Sequence, residues 1–275
     1  MVKWERGPAV FQTAPEWIAK IVPENRNMSY WAPDIIKLGD RYLLYYSVSS
    51  MGKMTSAIGL ATNPTLDPND PAYHWADQGI VVRTQDGDGH NAIDPAIFRD
   101  NDGSQWMTYG SYWSGIKLIQ LDPQTGKRMA PDSPPHPLAF NDSIEASYLC
   151  RHDDYYYLFV NWGSCCQGPK STYNIRIGRS ESITGPYVDK AGVTLLQNGG
   201  STFLATTNGP LIGSGHGGTL NAEGKTWFTS DFEGDLRMGG KATLAIMPLR
   251  WNADGWPEAT VNDLKSFPPV ETKTK

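Results

Sequence analysis

Two carboxylates, Asp94 and Glu145, each open a short apolar strand, in Ile93-Asp94-Pro95-Ala96 and Ser143-Ile144-Glu145-Ala146. One acid at such a place is unremarkable, because Asp often caps a turn through its own backbone. Two acids at the heads of repeated strands, among aromatic residues, suit the cleavage of an acetal between sugars. One carboxyl protonates the leaving oxygen while the other stays charged or steers the first. Sharing a pocket pushes their pKa values apart, which keeps one protonated near neutral pH. Tyr30, Trp31, Tyr112, Trp113 and Trp162 lie beside strand heads or strand ends. Rings of this kind stack on sugar faces and also pack between sheets; Trp31 and Trp113 are the strongest stacking candidates. Asn91 next to His90, with Ser111, Asn161 and Ser164, supplies the neutral hydrogen-bonding groups of a sugar pocket.

Two further ionisable residues stand at strand heads. Asp34, in Trp31-Ala32-Pro33-Asp34, is balanced between a turn cap and a site residue. His216 sits in Ser214-Gly215-His216-Gly217-Gly218. Its glycines would let the backbone approach something closely, so a central ion or an acid-steering role stands beside a purely structural hydrogen bond. A four-ligand zinc site is not supported, since no other His or Cys heads a strand.

The elements that must position these groups repeat. Asp34, Asp94, Glu145 and His216 are 60, 51 and 71 residues apart, and each is followed by an apolar strand, a tight turn and an aromatic strand. The turns are Gly39-Asp40, Asn101-Asp102-Gly103, His152-Asp153-Asp154 and Glu223-Gly224. A second pair of strands follows each head, as in 57–61, 116–121, 174–178 and 242–247, with period-two alternation bounded by turn residues. Four strands per unit at this period predict an all-β propeller, in which the innermost strands start around one axis and the four heads converge. Helix is confined to one or two turns within 14–22. Residues 1–11 are expected to be the tail of an incomplete first blade, because Trp4 and Gly7 echo the spacing of Trp75 and Gly79. The chain is expected to form one domain, residues 1–275.

Composition narrows the partners. Charged residues are 19%, aromatics 11%, and there are 28 glycines and 20 prolines, which suits short strands with many turns. The net charge of −5 without a basic run argues against nucleic acid. The longest stretch free of Lys, Arg, Asp and Glu, residues 191–222, is rich in Gly, Ser, Thr and Asn, so no membrane segment is expected. The first six residues lack the apolar core of a signal peptide. Three cysteines, Cys150, Cys165 and Cys166, make no disulfide framework, and the adjacent pair is expected to be reduced.

Taken in order, Trp31-Ala32-Pro33-Asp34, Ile93-Asp94-Pro95, Ser143-Ile144-Glu145-Ala146, Gly163-Ser164-Cys165-Cys166 with Ser171-Thr172-Tyr173, Gly178-Arg179-Ser180, Gly185-Pro186-Tyr187 and Gly215-His216-Gly217 resemble the arabinanases of glycoside hydrolase family 43. The resemblance runs from about Trp4 to Pro257. It implies a five-bladed β-propeller, its first blade incomplete in this chain, that cleaves α-1,5-linked L-arabinofuranosyl bonds of arabinan or arabino-oligosaccharides with inversion. It implies Glu145 as general acid, Asp94 as the modulator of its pKa, and His216 beside a central calcium or sodium ion held largely through water. It places Trp31, Asn91, Ser111, Asn161 and Ser164 at or near sugar-contacting positions. In the family the base is a first-blade Asp ahead of the Trp4-Glu5-Arg6-Gly7 segment, so no residue here takes that role. An exo-acting arabinofuranosidase or β-xylosidase on the same scaffold, and a non-catalytic carbohydrate-binding propeller, are the competing readings. A secreted or periplasmic location is expected for a full-length protein, and the oligomeric state is open.

Overall fold

A computed structural model describes residues 6–205, 212–235 and 240–260. The first sheet joins β1 (Trp31–Leu38), β2 (Arg41–Val48), β3 (Ser56–Asn63) and β4 (Ala76–Thr84) in sequence order. The second joins β5 (Ala96–Arg99), β6 (Gln105–Tyr109), β7 (Ile116–Leu121) and β8 (His136–Ala139). The third joins β9 (Glu145–His152), β10 (Tyr155–Trp162), β11 (Asn174–Ser180) and β12 (Ser201–Leu204). The fourth has three strands, β13 (Gly215–Ala222), β14 (Lys225–Asp235) and β15 (Lys241–Pro248). Where a fourth strand was expected, β16 (Arg250–Trp251) and β17 (Pro257–Glu258) pair only with each other.

All the pairings are antiparallel, and tight turns set their register. Glu223 and Gly224, both with positive φ (54° and 69°), close the β13–β14 hairpin with the backbone twist that adjacent strands require. The sheets stack face to face as propeller blades. In β10, Tyr157 and Phe159 point to a core shared with Phe228, Ala245 and Met247, while Tyr156, Leu158 and Val160 point to one shared with Ile116, Leu118 and Leu138. Alternate side chains of a strand leave opposite faces, so a strand buried on both sides is apolar throughout. Leu43, Tyr45, Ile58 and Leu60 meet Ile97, Met107 and Tyr109 in the same way between the first two blades.

The inner strands pack in succession, β1 on β5, β5 on β9 and β9 on β13. Comparable packing between β13 and β1 is absent among the described residues. The far face of the first blade, with Tyr46, Val48 and Ala57, is covered by a short helix, α1 (Glu16–Ile21), and by Val10 and Phe11. The helix therefore falls within the expected span. Residues 6–11, expected as the end of an outer strand, carry no strand and serve as this cover; residues 1–5 lie outside the described region.

Candidate active site

The structure refines the repeat. A residue with φ in the left-handed region stands at each blade head: Ala32 (39°), Asp94 (58°), Ala146 (49°) and His216 (48°). The four ionisable residues therefore do not occupy one position. Asp94 and His216 are equivalent, Glu145 lies one residue before that place, and Asp34 two residues after it. The kinks at Ala32, Ala146 and His216 break the register of their strands, and Asp94 lies just ahead of β5.

Glu145 is half-buried and held at both oxygens. Ser111 Oγ donates to Oε2 at 2.8 Å and Tyr173 Oη donates to Oε1 at 2.7 Å. Ser111 comes from the end of β6, and Tyr173 from the loop between β10 and β11. Gly215 makes this possible: a Cβ there would lie 2.1 Å from the Tyr173 ring and 2.8 Å from Asn161 Nδ2. Gly217 likewise makes room for Phe228. These glycines admit protein side chains, which corrects the expectation that they open the backbone to an axial ligand.

Asp94 is buried, 7% exposed, and its Oδ2 accepts the Ala146 N–H at 3.2 Å. Asp94 thus grips the backbone next to Glu145. Burial pushes Asp94 up to about 6; His216 and the Ala146 N–H oppose the rise and the Glu145 carboxylate adds to it. Asp34 is also pushed up to about 6 by burial, against the N–H groups of Ile97 and Ile35 and against His216. Burial and the charges of Glu145 and Asp94 hold the Tyr173 hydroxyl well above the usual phenol range, so it stays a donor.

The other expected site residues divide. Tyr112 reaches the carbonyl of Gly163 at 3.5 Å and its hydroxyl meets the Ser164 side chain, so these two form one rim. Trp113 beside them is 38% exposed, available to a ligand. Trp31 is half-buried and donates Nε1–H to Ser29 Oγ at 2.9 Å. Asp34 spends both oxygens on backbone, accepting from Ile35 N at 2.9 Å and Ile97 N at 2.6 Å, and so pins the second blade to the first. Asn91 is 4% exposed, with Oδ1 accepting from Ser56 Oγ. Asn161 is fully buried: Oδ1 accepts His216 N–H at 3.0 Å and Nδ2 donates to the carbonyls of Asn174 and Ser214. These last three make contacts within the protein that tie blades together.

Three residues outside the expected set belong to the site. Tyr173 was visible only as part of a motif. Asp231, in β14, interrupts an aromatic strand, and burial raises its pKa. Glu233 is 7% exposed; its Oε1 accepts from Cys166 N at 2.8 Å and Ser171 Oγ at 3.0 Å, tying down the loop 163–172. In that loop Cys165 and Cys166 are disulfide-bonded, against the expected reduced pair. The left-handed turn at Cys166, φ 65°, brings the neighbouring side chains together.

His216 is exposed at the centre, and the carboxylates of Asp34, Asp94 and Asp231 all feel its charge. Among the described residues no three His, Cys, Asp or Glu side chains converge closely enough to cage a metal. A cavity of about 530 Å3, lined in part by Phe11, Tyr73, Trp75 and Asp77, lies beside residues 8–16 and holds none of the head residues.

Comparison with known proteins agrees with this geometry. The chain is 39% identical over 281 residues to the extracellular exo-α-(1→5)-L-arabinofuranosidase of Cellvibrio japonicus, covering 97% of this chain and 80% of that protein. It is 40% identical over 258 residues to the extracellular endo-α-(1→5)-L-arabinanase 1 of Bacillus subtilis, covering 92% and 76%. Among solved structures, the α-L-arabinanase of Cellvibrio cellulosa complexed with arabinohexaose superposes with a TM-score of 0.89 at 37% identity, over 95% of this chain and 86% of that one. Residues 1–257 match the model of the family Glycosyl hydrolases family 43. With that match spanning nearly the whole chain, the protein belongs to glycosyl hydrolase family 43.

Proposed function

We propose that this propeller hydrolyses α-1,5-linked L-arabinofuranosyl bonds in arabinan and arabino-oligosaccharides, acting within the chain and with inversion. The observation that carries the reading is the Glu145 carboxyl, fixed at both oxygens by Ser111 and Tyr173 while a buried Asp94 grips the adjacent Ala146 N–H. Held so, the acid can face the glycosidic oxygen in one orientation and deliver its proton as the bond breaks. Asp94 tunes it by charge and by anchoring its backbone. Trp113, Tyr112 and Ser164 would line the sugar path. A fifth blade completes the ring in this reading, with a base on the far side of the sugar, roughly 6.5–9.5 Å from the acid to leave room for water. A calcium or sodium ion at the centre would be held by His216 through water. A secreted enzyme fits an extracellular polysaccharide, as the relatives' names say of them. The exo reading is supported by the exo-acting relative from Cellvibrio japonicus and by the similarity to an exo-1,5-α-L-arabinanase from a bovine ruminal metagenomic library.

Glu145→Gln tests the acid. In a ring completed with the base-bearing blade, turnover on linear arabinan should fall by roughly 10²–10⁴, the usual contribution of acid–base catalysis. An aryl arabinoside with a good leaving group should suffer much less, since its departure needs little protonation. Small, equal losses on both would remove Glu145 from the mechanism. Wild-type products separate the modes: a ladder of oligosaccharides supports chain-internal cleavage, and a single short product supports exo action.

A further inference from the structure

Each blade head meets the blade before it at one repeated place, marked by the second strand. The residue preceding the kink pairs with the second strand of its own blade: Trp31 with Ser47, Glu145 with Asn161 and Gly215 with Asp231. In the second blade, Gly110 N–H donates to the Ile93 carbonyl at 2.9 Å. Ser47, Gly110, Asn161 and Asp231 are therefore equivalent positions. At two of them the side chain accepts the head N–H of the next blade. Ser47 Oγ takes Asp94 N–H at 3.0 Å, and Asn161 Oδ1 takes His216 N–H at 3.0 Å. Gly110 has no side chain to offer, and there Asp94 Oδ2 takes Ala146 N–H instead. All three blade-to-blade steps thus satisfy the incoming head N–H with a side-chain oxygen.

Asp231 is the fourth socket. Its Oδ1 is buried and has no hydrogen-bond partner among the described residues. Around it the face of the fourth blade that points away from the third is apolar and uncovered. Leu220 and Leu244 are 37% and 46% exposed, and the register sets them on one face with Trp227 and Ile246. The corresponding faces of the first three blades are each covered by the next sheet. A buried acceptor left unmade is costly, and apolar surface beside it gains from burial.

We propose that Asp231 is a latch for a fifth sheet: its Oδ1 accepts the main-chain N–H of the head residue of a β-hairpin that stacks on Leu220, Trp227, Leu244 and Ile246. The occupant is a polypeptide hairpin with a left-handed head, because each of the three existing steps is built that way. The two relatives compared above run beyond the matched span, which covers 80% and 76% of their lengths, enough extra chain for a further sheet in them. The latch rests on the five-bladed part of the proposed function, and in that reading the residue it positions is the one that carries the base.

The probe is a peptide copying residues 88–110, which contains the second blade's head and its first two strands. Titrated against the full chain and followed by tryptophan fluorescence, it should bind saturably. Asp231→Ala should weaken binding about 10- to 100-fold, the range for a lost charge-assisted hydrogen bond. Asp231→Asn, which keeps an acceptor oxygen, should weaken it far less. A peptide carrying an ester in place of the Asp94 amide lacks the donor; it should bind more weakly to wild type and show no additional loss with Asp231→Ala. Absence of saturable binding at millimolar peptide, or equal binding by wild type and Asp231→Ala, overturns the latch. So does a wild-type dimer that Leu244→Asp dissociates and the peptide does not, which would make a second copy the occupant. These readouts involve no arabinan, so the latch stands or falls separately from the hydrolase reading, which is tested by turnover.

Discussion

At the site, burial sets the ionisation of Asp94 against stability. The folded protein keeps its proton up to about pH 6, whereas an ordinary Asp releases it near 3.8. Between those values the unfolded chain binds fewer protons, so stability falls as pH rises and the deficit is complete above the folded value. Asp94→Asn has nothing to ionise, and its oxygen can still accept the Ala146 N–H. Its stability should match wild type below about pH 4 and exceed it progressively toward pH 7, by on the order of 1–3 kcal/mol, read as a widening gap in melting temperature, while activity on arabinan drops. A gap between the two proteins that stays constant from pH 4 to 7.5 would refute the ionisation account. Asp94 and Glu145 were legible in the sequence because a carboxylate in an apolar strand head has no structural need to be there. Asp34, Asn91 and Asn161 looked similar and are different. Their polar atoms answer particular backbone or hydroxyl partners 35 to 63 residues away, and such pairings exist only once the blades are stacked.

The strand heads are where sequence spacing and true register part. Four strand-and-turn units were readable from alternation and from turns such as Glu223-Gly224, because side-chain period and positive φ are local properties. The one- or two-residue offsets among Asp34, Asp94, Glu145 and His216 were not, since a kink adds residues to one strand without changing its composition. Gly215 is the clearest consequence. It looked like backbone freedom for a central ligand and is instead the space that Tyr173 needs to reach Glu145. Gly215→Ala should therefore act on both packing and catalysis. Overpacking of this kind typically costs about 1–3 kcal/mol, and displacement of Tyr173 should lower turnover to a similar degree as Tyr173→Phe, which removes the same hydrogen bond to Glu145. Gly7→Ala, with nothing within 4 Å of the added carbon, is the control and should be neutral. A Gly215→Ala protein with wild-type melting and wild-type turnover would mean that Tyr173 does not orient the acid.

Across the whole molecule, three blade interfaces are filled by large apolar side chains, and the outer face of the fourth is not. The acids around the axis are nearly all engaged. Asp34 is bound to two N–H groups, Asp94 to Ala146, and Glu145 to Ser111 and Tyr173. Of the carboxylates among the described residues, only Asp231 keeps a buried oxygen without a partner, and the latch assigns that oxygen to a backbone donor rather than to water. An inverting hydrolysis needs a carboxylate free to draw a proton from the attacking water. Residues 1–275 on their own should therefore release reducing sugar from arabinan slowly, lower by roughly 10²–10⁴ than a ring completed with a base-bearing fifth blade. They should still bind arabino-oligosaccharides through the Trp113 rim, which calorimetry would measure. Fast turnover by residues 1–275 would instead make one of the aspartates the base. Asp231→Asn and Asp34→Asn would then tell them apart, because only the true base should lose activity when its charge is removed with its hydrogen-bonding shape retained.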